Sequence, residues 1–216
     1  GWVWDPSKAY IKQAVRDSLR RLGTDYIDLY QLHGGTINDP IDETIEAFEE
    51  LKQEGLIRYY GISSIRPNVI REYARRSNIV SLMSQYSMLD RRPEEETLRL
   101  IASRGISLIA RGPLANGILT ESGAAKAEKD YLDYRKDELP EVRRRLLELC
   151  SGGRTLVQTA LRYALADPAV ATVIPGASSL EQLRQNLSAA SAPPLTEEEI
   201  AAIRAVTRAN RYELHR

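Results

Sequence analysis

The chain has 216 residues, 43% of them hydrophobic, and its 30 basic residues balance 30 acidic ones. That length and apolar share support a substantial core in one large domain or two small ones. The even charge balance argues against a field that would recruit nucleic acid or an anionic membrane. Cys150 is the single cysteine, and His33 and His215 are the only histidines, so no internal disulfide forms and no zinc cluster is expected; a reducing cytoplasm fits. No uncharged run approaches the ~18 apolar residues of a membrane helix, and no charged-then-apolar signal opens the chain. The first residue is Gly1 and a helix follows almost at once, which suggests a fragment or processed product.

Asp5-Pro6 reads as a helix start. The helix, expected from about residue 6 to 22, carries Ile11, Val15, Leu19 and Leu22 on one face and stops at Gly23. The run Asp25 to His33 is a buried strand. Pro40 and Asp42 introduce a second helix up to Gly55, with Ile41, Ile45, Phe48 and Leu51 on its inner face, and residues 57 to 64 form the next strand. A short helix opens at Pro67, a third strand runs from Ile79 to Ser87, a helix carries Leu98 and Ile101, and Ile106 to Arg111 is a fourth strand. Residues 114 to 153 break the rhythm and are expected to be a long loop, with an irregular helix at Leu139 to Leu149; loops of that length are usually lids or disordered. A helix at about 155 to 166, a strand at Val170 to Ile174, a helix at about 180 to 190 and a final amphipathic helix complete the chain, with capping boxes expected at Ser179/Gln182 and Thr196/Glu199.

Strands starting near 26, 57, 80, 106 and 170 and alternating with helices imply parallel βα units. Five are too few to close a barrel that needs eight. The sheet is therefore open or three units are absent, and the helix at the start points to the second case. The strand carboxyl ends are His33, Ser63-Ser64, Gln85, Arg111-Gly112-Pro113-Leu114 and Pro175-Gly176-Ala177-Ser178. A lone histidine is more often a satisfied core residue, but polar or backbone-exposing groups at five successive strand ends point to a functional mouth. Gly176 to Ser179 leads straight into a helix, whose free N–H groups favour a phosphate.

Taken in this order, the runs Asp25 to His33, Gly61-Ile62-Ser63-Ser64, Gln85-Tyr86-Ser87, Gly112-Pro113-Leu114 and Ile174 to Ser178 resemble the aldo/keto reductase family. The resemblance implies an α/β fold, a partial TIM (β/α)8 barrel of five βα units plus a C-terminal helix in a single domain over 1–216. It also implies NADP(H)-dependent reduction of aldehydes or ketones. On it, His33 is similar to the histidine that orients the substrate carbonyl. Ser63 and Gln85 resemble the pair that hold the nicotinamide carboxamide, Ser64 replaces the family's common asparagine and so reduces one amide partner to a hydroxyl, and Arg111 stands where an aromatic often stacks on the ring. The stretch from Gly112, Pro113 and Leu114 to Gly117 looks like the loop over the pyrophosphate. Gly176, Ser178, Gln182 and Asn186 match the adenosine and 2′-phosphate positions, with Gln182 at a position often held by arginine, which leaves NAD(H) open beside NADP(H). Gly34 follows the histidine where a bulky residue is common, so that wall is expected to be open.

The resemblance begins about where the family's third helix does. It therefore implies that the units carrying the catalytic aspartate, tyrosine and lysine, about 75 to 90 residues, precede Gly1, and that the chain alone is inactive or impaired. The partners implied are a small carbonyl substrate, no nucleic acid and no membrane, with self-association through unpaired strand edges where Ile27, Leu29, Val173 and Ile174 lose cover. The reading from another class is a nucleotide-binding regulatory subunit without turnover.

Overall fold

Residues 3–216 are described by the computed structural model; Gly1 and Trp2 lie outside the described residues. Five strands alternate with helices. They are β1 (Ile27–His33), β2 (Ile57–Ser63), β3 (Ser81–Gln85), β4 (Ser107–Arg111) and β5 (Val170–Ile174). The helices are α1 (Lys8–Leu22), α2 (Ile41–Gln53), α3 (Pro67–Arg76), α4 (Thr97–Ala102), α5 (Leu139–Glu148), α6 (Leu156–Leu165), α7 (Leu180–Ser188) and α8 (Glu197–Val206). The strand order is β1-β2-β3-β4-β5, so neighbours in sequence are neighbours in the sheet. The pairings β1–β2, β2–β3 and β4–β5 are parallel, as strands joined by crossover helices must be. Among the described residues no helix is long and apolar enough to cross a membrane.

The chain packs as two compact units. The first holds the residues up to Met83 with Ser103–Ser107 and Tyr212–Arg216; the second holds Ser84–Ala102 and Leu108–Arg211. In the first unit, α1 buries Ile11, Val15 and Leu19 of the stripe read from spacing, while Leu22, its fourth expected member in the last turn, is exposed. Its cap is Ser7, which accepts from the Tyr10 N–H, while Asp5 accepts from the Ser7 N–H at 2.9 Å. The helix thus begins two residues later than the Asp-Pro pair suggested, with Ser7 and not Asp5 as its cap. Opposite charges line α1 and α2: Lys12 bridges Glu50 at 2.7 Å and Glu54 at 2.6 Å, and Arg16 meets Glu54 at 3.0 Å. Phe48 of α2 stacks on Tyr60 of β2 with ring centroids 5.0 Å apart. Gly61 is a packing requirement, because a Cβ there would lie 2.5 Å from the Ser81 carbonyl oxygen and closer still to the Ser81 hydroxyl.

The second unit is organised around a half-buried carboxylate. Glu94 accepts hydrogen bonds from the hydroxyls of Tyr86 (3.0 Å) and Tyr163 (2.6 Å) and from the Arg91 guanidinium (3.0 and 3.1 Å). Arg91 also donates to the carbonyls of Arg204 and Thr207, and its own N–H donates to Asn210 Oδ1 at 2.8 Å. One ion pair therefore ties the end of β3, α6 and the segment after α8 together. Residues 114 to 153 differ from the expected lid or disordered loop. They hold two 3₁₀ turns and α5, and they bury Ala127, Tyr134, Leu139 and Leu146. The apolar residues of this charge-rich stretch are too scattered to show a period, so the helix at Leu139 was visible and the packing around it was not. The Thr196/Glu199 capping box forms, and so does one at Thr155/Gln158. At α7 only half a box forms: Ser179 accepts from the Gln182 N–H, while the Gln182 side chain serves Ser178 instead.

Burial pushes the Glu94 carboxyl up, but the hydrogen bonds from Arg91 and Tyr163 outweigh it and hold its pKa below the ordinary 4.5. A lowered folded pKa gives stability that is present above the unfolded value and lost as pH falls through the folded one. The thermal midpoint is expected to drop as pH goes below about 4.5. Glu94→Gln, which leaves Arg91 without its counter-charge, should be less stable at pH 7 by about 3–5 kcal/mol and lose less on acidification. Thermal denaturation from pH 7 to 3 measures both; an equally steep acid loss in Glu94→Gln would contradict the assignment.

Candidate active site

In the first unit the register places His33 directly beside Ser63 on the neighbouring strand. His33 is exposed at the end of β1, and Ser63 and Ser64 are buried. The turn is held by the backbone: the Gly34 N–H donates to the Ser63 carbonyl at 2.9 Å and the Ser64 N–H to the Met83 carbonyl at 3.0 Å. Ser64 Oγ accepts from the Arg66 N–H at 3.1 Å, so this serine shapes the entry to α3 and keeps its hydroxyl proton and one lone pair for another partner.

The wall beside His33 is not open. Gly34 and Gly35 sit at φ +99° and +104°, a conformation that side chains resist, and the space this leaves is taken by an indole. A Cβ on Gly34 would lie 3.6 Å from the Trp4 ring. Trp4 Nε1 donates to Asp39 at 3.1 Å, and Asp39 also accepts from the Thr36 N–H (2.7 Å) and hydroxyl (2.9 Å). The bulky group comes from a residue far away in sequence, which is why a local reading missed it.

The second unit carries the other strand ends. Gln85 ends β3 and Arg111 ends β4. The Tyr86 N–H donates to the Arg111 carbonyl at 3.2 Å, and Arg111 Nη1 donates to Gln85 Oε1 at 2.9 Å. Gln85 Nε2 donates to the Tyr131 hydroxyl at 3.2 Å. Tyr131 lies in the loop part of the stretch 114 to 153, before its expected helix, and no motif in the sequence marks it. Gly112 (φ +63°) turns the chain out of β4, and a Cβ there would meet Gln85 at 3.6 Å. Pro113 and Leu114 lead into a turn in which Ala115, Asn116 and Gly117 all have positive φ. Gly117 leaves room for the Lys126 side chain, whose Cδ and Cε would lie 3.2 and 3.3 Å from a Cβ at that position. Arg143 of α5 fixes the far side of this loop, donating to the carbonyls of Ile118 (3.0 Å), Thr120 (2.6 Å) and Glu121 (2.9 Å).

After β5, Gly176 has open space where a Cβ would stand. Its carbonyl accepts from Asn186 Nδ2 at 3.2 Å. Gln182 Oε1 accepts from the Ser178 N–H (2.7 Å) and hydroxyl (3.0 Å), so the four residues Gly176, Ser178, Gln182 and Asn186 fasten the loop to the first turns of α7. The structure thus joins the expected residues in small groups: His33 with Ser63, Gln85 with Arg111 and Gly112, Ser178 with Gln182, and Gly176 with Asn186. Cys150 is half-buried and burial pushes its thiol pKa up, opposite to what a nucleophile needs. Among the described residues no group of three or more His, Cys, Asp or Glu could hold a metal ion.

Parallel βα units with hydrogen-bonding side chains at the strand ends define the class of α/β enzymes that bind ligands at those ends. The aldo/keto reductase family model matches residues 1–208, and the chain belongs to that family. It is similar to the uncharacterized oxidoreductase YqkF of Bacillus subtilis (59% identity; all of this chain and 72% of that protein). It is also similar to the NADH-specific methylglyoxal reductase of Escherichia coli (33% identity; 83% of this chain and 59% of that protein). Among solved structures, the holo form of aldo-keto reductase AKR11C1 from Bacillus halodurans superposes with a TM-score of 0.93 at 61% identity, covering all of this chain and 70% of that one. These matches establish the family; neither the family model nor the Bacillus subtilis alignment bears out the expected loss of three βα units.

Replacing Arg143 by Met would leave three carbonyls without their charged donor. Bonds to charged groups contribute about 1.5–3 kcal/mol each, so a loss of at least about 3 kcal/mol is expected, together with faster tryptic cleavage after Lys126. Unchanged melting and cleavage would show that the loop is held by other means.

Proposed function

We propose that this chain works as, or within, an NADP(H)-dependent oxidoreductase that reduces a small aldehyde or ketone to an alcohol, with NAD(H) as the alternative cofactor. The observation that carries the reading is the series of polar side chains ending successive strands, His33, Ser63, Gln85 and Arg111, in a member of the aldo/keto reductase family. The finer reading of the fold, five βα units of an eightfold barrel, belongs with this proposal.

When bound, a reduced nicotinamide supplies the hydride. The exposed His33 imidazole hydrogen-bonds the carbonyl oxygen and orients it for that transfer. The Ser63 and Ser64 hydroxyls and the Gln85 amide hold the carboxamide, and the Arg111 guanidinium offers a plane for the ring. Gly112, Pro113, Leu114 and Gly117 bring backbone against the pyrophosphate. Gly176, with nothing within 4 Å of its missing Cβ, lets the adenosine end approach Ser178, Gln182 and Asn186. The Escherichia coli relative is NADH-specific by name, and Gln182 brings no cation for a 2′-phosphate; both support keeping NAD(H) as the competitor. The single free Cys150 suits a reducing cytoplasm. Nucleic acid and membranes have no part in the reading. Self-association through the outer strands is part of it, supported by Ile174 being 44% exposed.

A second reading is a nucleotide-binding regulatory subunit that binds without turnover; general acids typically contribute roughly a hundred- to ten-thousand-fold, so orientation by His33 without one would leave binding with little turnover. Fluorescence titration with NADPH and NADH, run beside an absorbance assay on a panel of aldehydes and ketones, separates the two. Gln85→Ala and Asn186→Ala should each weaken binding by up to about tenfold, while His33→Ala keeps binding and lowers any turnover. Binding with no reduction of any carbonyl would favour the regulatory reading, and no binding of either nucleotide would remove both.

A further inference from the structure

The Gln85 amide is gripped from both sides, and neither grip belongs to a ligand. Arg111 carries only donors, so the atom 2.9 Å from its Nη1 must be the amide oxygen. The opposite assignment would set a guanidinium N–H against an amide N–H. The nitrogen then faces the Tyr131 hydroxyl at 3.2 Å. With both ends engaged, the amide plane can neither flip nor swing, and one N–H and one lone pair remain for a third partner.

Each gripping residue is itself held. Arg111 is tied to the same strand end by its carbonyl, which accepts from the Tyr86 N–H. Tyr131 is 8% exposed and exchanges two backbone hydrogen bonds of 2.9 Å with Tyr134. The Tyr134 hydroxyl accepts from the Arg208 N–H at 2.6 Å, and Asn210 donates to Asp133 at 2.5 Å while accepting from the Arg91 N–H at 2.8 Å. The grip on Gln85 therefore runs back to the ion pair of buried Arg91 and half-buried Glu94.

We infer that Tyr131 is a positioning residue for nicotinamide binding, acting with Arg111 through Gln85, whose amide the two fix in one orientation for the cofactor's carboxamide. This rests on the reading of a nicotinamide cofactor given above. It adds a residue, Tyr131, to that reading. A preset amide saves the ordering cost that a free glutamine side chain would meet on binding.

The test uses the 216-residue chain and two probes, NADPH and 2′-phospho-ADP-ribose, which lacks the nicotinamide, titrated by fluorescence and by calorimetry. Tyr131→Phe and Arg111→Met should each weaken NADPH about five- to tenfold and leave 2′-phospho-ADP-ribose and the melting temperature unchanged. Arg111→Lys should recover part of the loss. In a Gln85→Ala background, Tyr131→Phe should have no further effect, because residues acting through one another are not additive. Equal losses for the two probes, a full additional loss in the Gln85→Ala background, or unchanged NADPH binding in Tyr131→Phe would each overturn the inference. If the unmutated chain binds NADPH and Gln85→Ala weakens it, the cofactor reading survives such a result. If the unmutated chain binds neither of these probes nor NADH, both fall together.

Discussion

The first unit depends on how closely β2 can approach its neighbour. Gly61 pairs with Ser81, and the missing Cβ is what lets the Ser81 carbonyl and hydroxyl come up against it. Any side chain there would have to push the strands apart or turn β2. The pairing then runs through Ile62 and Leu82 to Ser63 and Met83, and across to His33. Where the polar groups stand at the strand ends is thus a consequence of register set two residues earlier, and register in a parallel pair moves every side chain together.

In the second unit the same purpose is served by a charge. Even a half-buried carboxylate is costly unless it is paired and hydrogen-bonded, and Glu94 has Arg91 and two tyrosine hydroxyls. Burial raises the pKa of both phenols, which keeps them protonated as donors. Because Arg91 also holds the Thr207 and Asn210 region, the chain's last quarter is fastened to the end of β3. That is the element whose final side chain, Gln85, is held between Arg111 and Tyr131.

Much of this was legible in the residues. The apolar stripe of α1, the strand ends at His33, Ser63, Gln85 and Arg111, and the capping box at Thr196 are local patterns, and they appear within a residue or two of where spacing put them. What escaped was long-range. Trp4 closes the wall over Gly34 from thirty residues away; the Tyr131 hydroxyl reaches Gln85 across forty-six; Arg143 organises carbonyls more than twenty residues before it. None of these has a periodicity or a turn signature. Each is a polar or aromatic side chain whose partner is fixed only once the chain has folded. The unread stretch from 114 to 153 held two of them, since its charges hide the few apolar positions that bury it.

The account's central claim is that a dinucleotide binds at the carboxyl ends of these strands. Amide hydrogen exchange with and without NADPH tests it most directly. The account predicts slower exchange in the peptides covering Arg111 to Ile118 and Gly176 to Asn186, with no change at the amino end near Val170. Protection confined to that amino end, or spread evenly over the chain while titration shows NADPH bound, would contradict it.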